Sequence, residues 1–244
     1  MHLLTYTVTP FFRHPLGAEA FLPAPTEWLR TAILMLVNRS KARLAREGVS
    51  HEIFHNHDEV SGNTIARYPM VLYQHHNGLL YVTGINEGAR ALEVLISQYE
   101  RAVEIDRNSL IRFKAVEPIE MEVSKTQQKY IYSLSSWLPF SSQNHKAYQA
   151  TETLAAKIEL LQKILSNHLG KDFGRFFNLD IEPAEVSLLE VQNFKNTCKQ
   201  LTMNGRKHDF QPFDIKFSTN LILPDFINLG NGKVYGFGLL QRVT

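Results

Sequence analysis

From His2 to Thr9 the chain alternates branched and aromatic residues with polar ones, the period of a strand with one buried face. Pro10 to Pro25 breaks that pattern and predicts a loop. The period then lengthens. Leu29, Ile33, Leu36 and Leu44 recur at helical spacing through Glu27 to Glu47, with Thr26 placed to cap the helix and Gly48 to end it. Ile53 to His57 reads as a short extended segment, followed by a polar turn. Arg67 to His75 is a clear strand, which Asn77-Gly78 turns back into Leu79 to Ile85. Leu92, Leu95 and Tyr99 predict a second helix from Glu87 to Val103, and Ser109 to Val116 reads as another strand. Strand, helix, strands, helix, strand is the ferredoxin-like order.

A similar order begins again near Pro118. Ile119 to Ser124 and Lys129 to Leu134 read as strands, and WLPFSSQNHKAYQ leads into one long helix ending near His168. Its apolar stripe is Leu154, Ile158, Leu161 and Leu165, and Gly170 and Gly174 interrupt it. Val186 to Phe194, Cys198 to Met203 and Phe213 to Phe217 are strand-like, with a hairpin turn at Asn204-Gly205. Thr219 to Ile227 fits neither period, and Tyr235 to Val243 predicts a last strand. No short repeat links the halves. The expectation is an α+β chain of two tandem ferredoxin-like (βαββαβ, RRM-like) domains, 1–118 and 119–244, the second carrying a C-terminal glycine-rich loop.

Composition narrows the class. Hydrophobic residues are 44% and aromatics 11% of 244, which suits a globular protein. The single cysteine, Cys198, rules out an internal disulfide framework and a multi-cysteine metal site, and it points to a reducing, cytoplasmic compartment. The longest apolar run, Ala32 to Val37, is too short to cross a bilayer, and the N-terminus has no signal-peptide pattern. With 26 basic and 24 acidic residues, any basic surface for nucleic acid must be local. Arg39, Arg43 and Arg46 lie together on the first helix, either as a solvated end complementing the dipole or as phosphate contacts. The histidines concentrate between His51 and His76.

The densest local signal is near the C-terminus. Gly230, Gly232, Gly236 and Gly238 fall within nine residues of a chain with only thirteen glycines. A dinucleotide fingerprint would need glycine at Tyr235, and a P-loop would need Ser or Thr at Val234. Both also need a following helix, for which no room remains. The spacing alone supports a hairpin turning at Asn231-Gly232 or a backbone-amide nest for phosphate.

LPDFI, then GNG, the Lys233 insert and GFG resemble the glycine-rich loop of the CRISPR repeat-processing endoribonucleases, the Cas proteins numbered six. FHNH at Phe54 to His57, RYPMVLYQ followed by VTGINEGARAL, and WLPFSSQNHKAYQ are similar to segments of the type I-B branch. The match touches both halves. It departs at Gln74-His75, where a lysine is commoner, and at Ser141-Ser142. The resemblance implies metal-independent cleavage of precursor RNA within repeats, with no cofactor. A ribose 2′-OH attacks the adjacent phosphate, leaving a 2′,3′-cyclic phosphate and a 5′-OH. It also implies CRISPR repeat RNA as partner, with other effector-complex subunits as further partners, and a monomer or homodimer. A repeat-RNA-binding subunit that does not cut is the alternative.

Such an attack needs a base, an acid and positive charge at the phosphorane, and histidine titrates in the right range. His55 and His57, two apart in an extended segment, would share a face. By themselves they fit surface histidines, a metal site with His51, Asp58 or Glu59, or an acid–base pair. The resemblance puts the acid–base reading first, with no metal. It also assigns RNA binding to Gly230, Gly232, Lys233, Gly236 and Gly238, joined by Arg39, Arg43 and Arg46.

Overall fold

Two antiparallel sheets organise the chain. The computed structural model describes residues 1–12, 25–55, 68–99, 101–179, 185–192, 199–203 and 206–243. Met1–Met121 together with Val234–Gly236 form one unit, and Glu122–Lys233 with Phe237–Thr244 form the other. Among the described residues no helix is long and apolar enough to cross a membrane.

In the first unit, β1 (His2–Phe12) lies between β3 (Leu79–Ile85) and β5 (Ser109–Ala115), with β2 (Val71–His76) and β4 (Val103–Asp106) outside them. The pairings are antiparallel, so β3 and β5 run parallel and need a crossover. Helix α2 (Glu87–Ile96) supplies it, as helix α1 (Pro25–Arg46) supplies the one from β1 to β2. Proline at the first position of α1 is pre-set for helical φ. At its other end Val49 N donates to Leu44 O at 2.9 Å around Gly48 at φ +69°, a Schellman-type stop. Leu29, Ile33, Leu36, Val37 and Leu44 are all buried against the core shared with Val71, Tyr73, Leu92 and Leu95. Each such side chain contributes about 1.5–3 kcal/mol.

Three local expectations change here. Residues 51–55 are not extended: His51–Phe54 is a 3-10 turn, capped by Ser50, whose side chain accepts from Glu52 N. Ile53 and Phe54 are adjacent and both buried, which a strand with one solvent-facing side does not arrange and a turn can. Helix α2 stops at Ile96, and Val103 opens β4 instead. Thr26 lies inside α1 rather than capping it.

In the second unit, β7 (Lys125–Trp137) is central, in the order β12-β7-β11-β8, with β8 Val186–Gln192, β11 Phe213–Leu221 and β12 Leu239–Arg242. A separate hairpin pairs β9 (Lys199–Met203) with β10 (Arg206–Phe210); its turn lies outside the described residues. Strand β6, Ile119–Glu120, belongs to the first unit and pairs with β1 there. The expected long helix is α4 (Leu154–Asn167), and a further helix that was not expected, α3 (Ser142–Ala150), lies in the segment leading into it. Each has its own cap, with Ser141 accepting from Asn144 N and Thr153 from Ala156 N. A π-helical turn, His168–Gly174, follows α4. Strands β11 and β12 both run antiparallel to β7, so they too need a crossover. Here no helix provides it: residues 222–238, with the glycine loop, occupy that place in the chain.

Candidate active site and nucleic-acid interface

His55 closes the 3-10 turn at φ −132° and ψ −1°, its amide donating to Glu52 O at 3.2 Å. Its ring is half-buried and 6.0 Å from that of His51. The residue before it, Phe54, is buried, and its carbonyl accepts from the Tyr73 hydroxyl at 2.8 Å. Burial drives the Tyr73 pKa far above its ordinary value, so the phenol stays a protonated donor. His55 is therefore fixed from the core side by a buried bond one residue away. His57, Asp58 and Glu59 lie outside the described residues. The shared-face argument for His55 and His57 assumed extended backbone, and the turn removes that basis at His55. Among the described residues, no group of three or more His, Cys, Asp or Glu is placed to hold a metal ion.

The glycine loop is not a two-stranded hairpin at Asn231-Gly232. Lys233–Tyr235 is a 3-10 turn, and β12 starts only at Leu239. Asn231 N donates to Leu138 O at 2.9 Å, Phe237 N to Gly232 O at 3.4 Å, and Gly238 N to the Ser135 and Ser136 carbonyls. Those three amides are committed inside the fold and are not available to a phosphate nest. At Gly238, φ is +72° and an added Cβ would stand 1.9 Å from Leu229 O. Only glycine fits there.

The tip, Val234–Gly236, belongs to the first unit. Thr26 Oγ1 donates to Tyr235 O at 3.0 Å, and the Arg30 guanidinium lies 5.3 Å from the Tyr235 ring centroid, a cation–π distance. Gly236, at φ +84°, leaves its missing Cβ to Thr26 Cγ2 at 2.7 Å and Tyr73 O at 2.8 Å. Tyr73 thus joins two sites that the sequence keeps far apart. Its hydroxyl holds the turn before His55, and its carbonyl abuts the loop tip. Arg30 is partly buried, and its Nε has no hydrogen-bond acceptor among the described residues.

Lys233 Nζ donates to Gly230 O, closing the loop upon itself. Nearby, Trp137 Nε1 donates to Nδ1 of buried His168 at 3.2 Å. Burial, helped by the Lys233 charge, lowers the His168 pKa to about 3, so the ring is neutral with its proton on Nε2. The arginine row is only partly open. Arg39 donates to the Glu104 and Ile105 carbonyls and Arg43 to Ser97 Oγ, whereas Arg46 is exposed. Sequence reasoning missed Thr26, Arg30 and Tyr73 as parts of this site. No local spacing could show them, because Thr26 and Tyr235 are 209 positions apart.

Comparisons with known proteins agree across the chain. Two family models match in order: the Cas6b N-terminal domain over residues 35–122 and the Cas6b C-terminal domain over residues 124–243. A crystal structure of Cas6b superposes with TM-score 0.65 at 15% identity, covering 100% of both chains. A second, of the CRISPR RNA processing endoribonuclease Cas6b, gives 0.58 at 13%, again covering 100% of both. Csf5, a type IV Cas6 crRNA endonuclease, gives 0.55 at 13%, covering 100% of this chain and 99% of its own. At such identities these structures establish the fold, two tandem ferredoxin-like domains. No curated protein matches the sequence. Both halves of one family's model fall in order on one chain with that fold, and the chain belongs to the Cas6 family of CRISPR RNA-processing endoribonucleases.

Proposed function

We propose that this protein cleaves CRISPR precursor RNA within its repeats, without a metal ion, by attack of a ribose 2′-OH on the adjacent phosphate. The observation that carries the reading is the Tyr73 junction, which brings the His55 turn and the glycine-loop tip to one residue of β2. In this reading His55 and His57 move the protons, one from the attacking hydroxyl and one to the departing 5′-oxygen. The 2′-oxygen bonds to phosphorus as the bond to the 5′-oxygen breaks, giving a 2′,3′-cyclic phosphate and a 5′-OH. Arg30, stacked on Tyr235, supplies positive charge toward the phosphorane.

The loop from Gly230 to Gly238, with Lys233, holds RNA by its shape and charge, the glycines acting through close packing. Arg46 adds a backbone contact. Arg39 and Arg43 would have to leave internal acceptors to do the same, so their share is smaller. The division of labour follows residues 1–118 and 119–244, in a cytoplasmic protein acting as monomer or homodimer, with effector subunits as further partners.

The test is incubation of the full chain with repeat RNA from its own locus in EDTA. We expect cleavage at one site, a 2′,3′-cyclic phosphate (or its hydrolysis product) on the upstream fragment, and no cleavage after 2′-deoxy substitution before that bond. Activity lost in EDTA and restored by a divalent ion overturns the mechanism. Tight binding without cleavage favours the alternative, a repeat-RNA-binding subunit.

A further inference from the structure

The second unit contains a cavity of about 240 Å³ that the account above does not use. Phe140 and Phe210 form apolar walls, and Asp209 and Gln211 bring polar groups to the same space. The Phe140 ring is braced by Tyr148 at 4.7 Å and Phe213 at 5.7 Å. Phe210 leans on Phe237 at 5.9 Å, tilted by 31°. Gln211 is 8% exposed, and its Nε2 finds no acceptor among the described residues.

The cavity also adjoins the glycine loop. Its wall residue Leu138 accepts from Asn231 N, and Phe237, which supports Phe210, follows Gly236 directly. We propose that this cavity takes one unstacked nucleobase of the RNA held by the glycine loop. The size is below the roughly 300 Å³ at which pockets for drug-sized ligands begin, so it admits one base rather than a dinucleotide. The aromatic walls suit a flat ring, since single-stranded RNA is read by splayed bases packed on aromatic side chains. Asp209 sets the class. A carboxylate repels phosphate and accepts from an exocyclic amino group, so it favours cytosine, adenine or guanine over uracil, whose base edge donates only through the ring N3–H. This assignment rests on repeat RNA being the substrate.

The test is a binding titration of the full chain with repeat RNA carrying an abasic site at each position in turn, 2′-deoxy at the cleaved nucleotide to prevent turnover. One position should lose about tenfold or more in affinity, the scale of one stacked base. Ser142→Trp, at an exposed residue lining the cavity, should cost intact RNA a similar factor and add nothing at that abasic position. Asp209→Asn, nearly isosteric and exposed, should weaken preference for an amino base there alone, and it decides the matter if the tryptophan variant fails to fold. Wild-type binding with a flat abasic scan, or variant and abasic losses that add at every position, overturns the cavity assignment by itself. Failure of the wild-type chain to bind repeat RNA overturns the proposed function instead.

Discussion

Arg30 carries a permanent charge on a short stretch of α1, held over Tyr235 and beside buried Tyr73. If it faces the phosphorane, Arg30→Ala should slow cleavage by about 10²–10³-fold, the usual effect of removing one transition-state donor, with a smaller loss in affinity. Arg30→Lys should recover little, because an ammonium lacks the planar fork and stacks poorly. Equal rates for wild type and Arg30→Ala would reduce the residue to a packing role. His168 makes a different forecast. Its folded pKa of about 3 lies below the ordinary 6.5, so at lower pH the unfolded chain binds a proton that the folded chain refuses. Stability should fall as pH drops below about 6.5 and keep falling toward 3, by up to about 1.4 kcal/mol per unit. His168→Gln, which can still accept from Trp137, should remove that part of the slope in paired denaturation curves. Parallel curves for the two proteins would contradict it.

At the scale of elements, the glycine loop replaces a crossover helix, and its glycines are fixed by what surrounds them. Gly238→Ala would force a left-handed φ on a residue with a Cβ, at about 1–2 kcal/mol, and push that Cβ into the Leu229 carbonyl. Thermal unfolding should shift down by several degrees. An unchanged melting temperature would mean the backbone there relaxes freely. The periodicities showed most elements: α1, the β2–β3 hairpin at Asn77-Gly78 with both residues at positive φ, and the central strands. Two failures have physical causes. Val103 stands four positions after Tyr99, in phase with Leu92 and Leu95, so the helical pattern ran on although the chain leaves α2 after Ile96. Helix α3 went unseen because Tyr148 is its buried residue, too little for an apolar stripe; Thr151 ends it and Thr153 caps α4.

For the whole molecule, two ferredoxin-like sheets were legible because both halves alternate strand and helix periods in a similar order, although the second has no α-helix between its last two strands. The assembly of the site was not. Thr26, Arg30, Tyr73 and Tyr235 meet only through the fold, and no spacing in a linear chain encodes contacts across 209 positions. The resemblance at FHNH pointed to His55, and the turn beneath it, held by Tyr73, gives that residue a physical setting. The central claim is that His55 and His57 perform proton transfer on repeat RNA without a metal. The most direct measurement is single-turnover cleavage in EDTA with enzyme in excess, comparing wild type with His55→Ala and His57→Ala and measuring RNA affinity alongside. The account predicts near wild-type affinity for both variants and rates lower by about 10²–10⁴-fold, with the double variant losing far less than the product of the two. Wild-type rates in both single variants would contradict it.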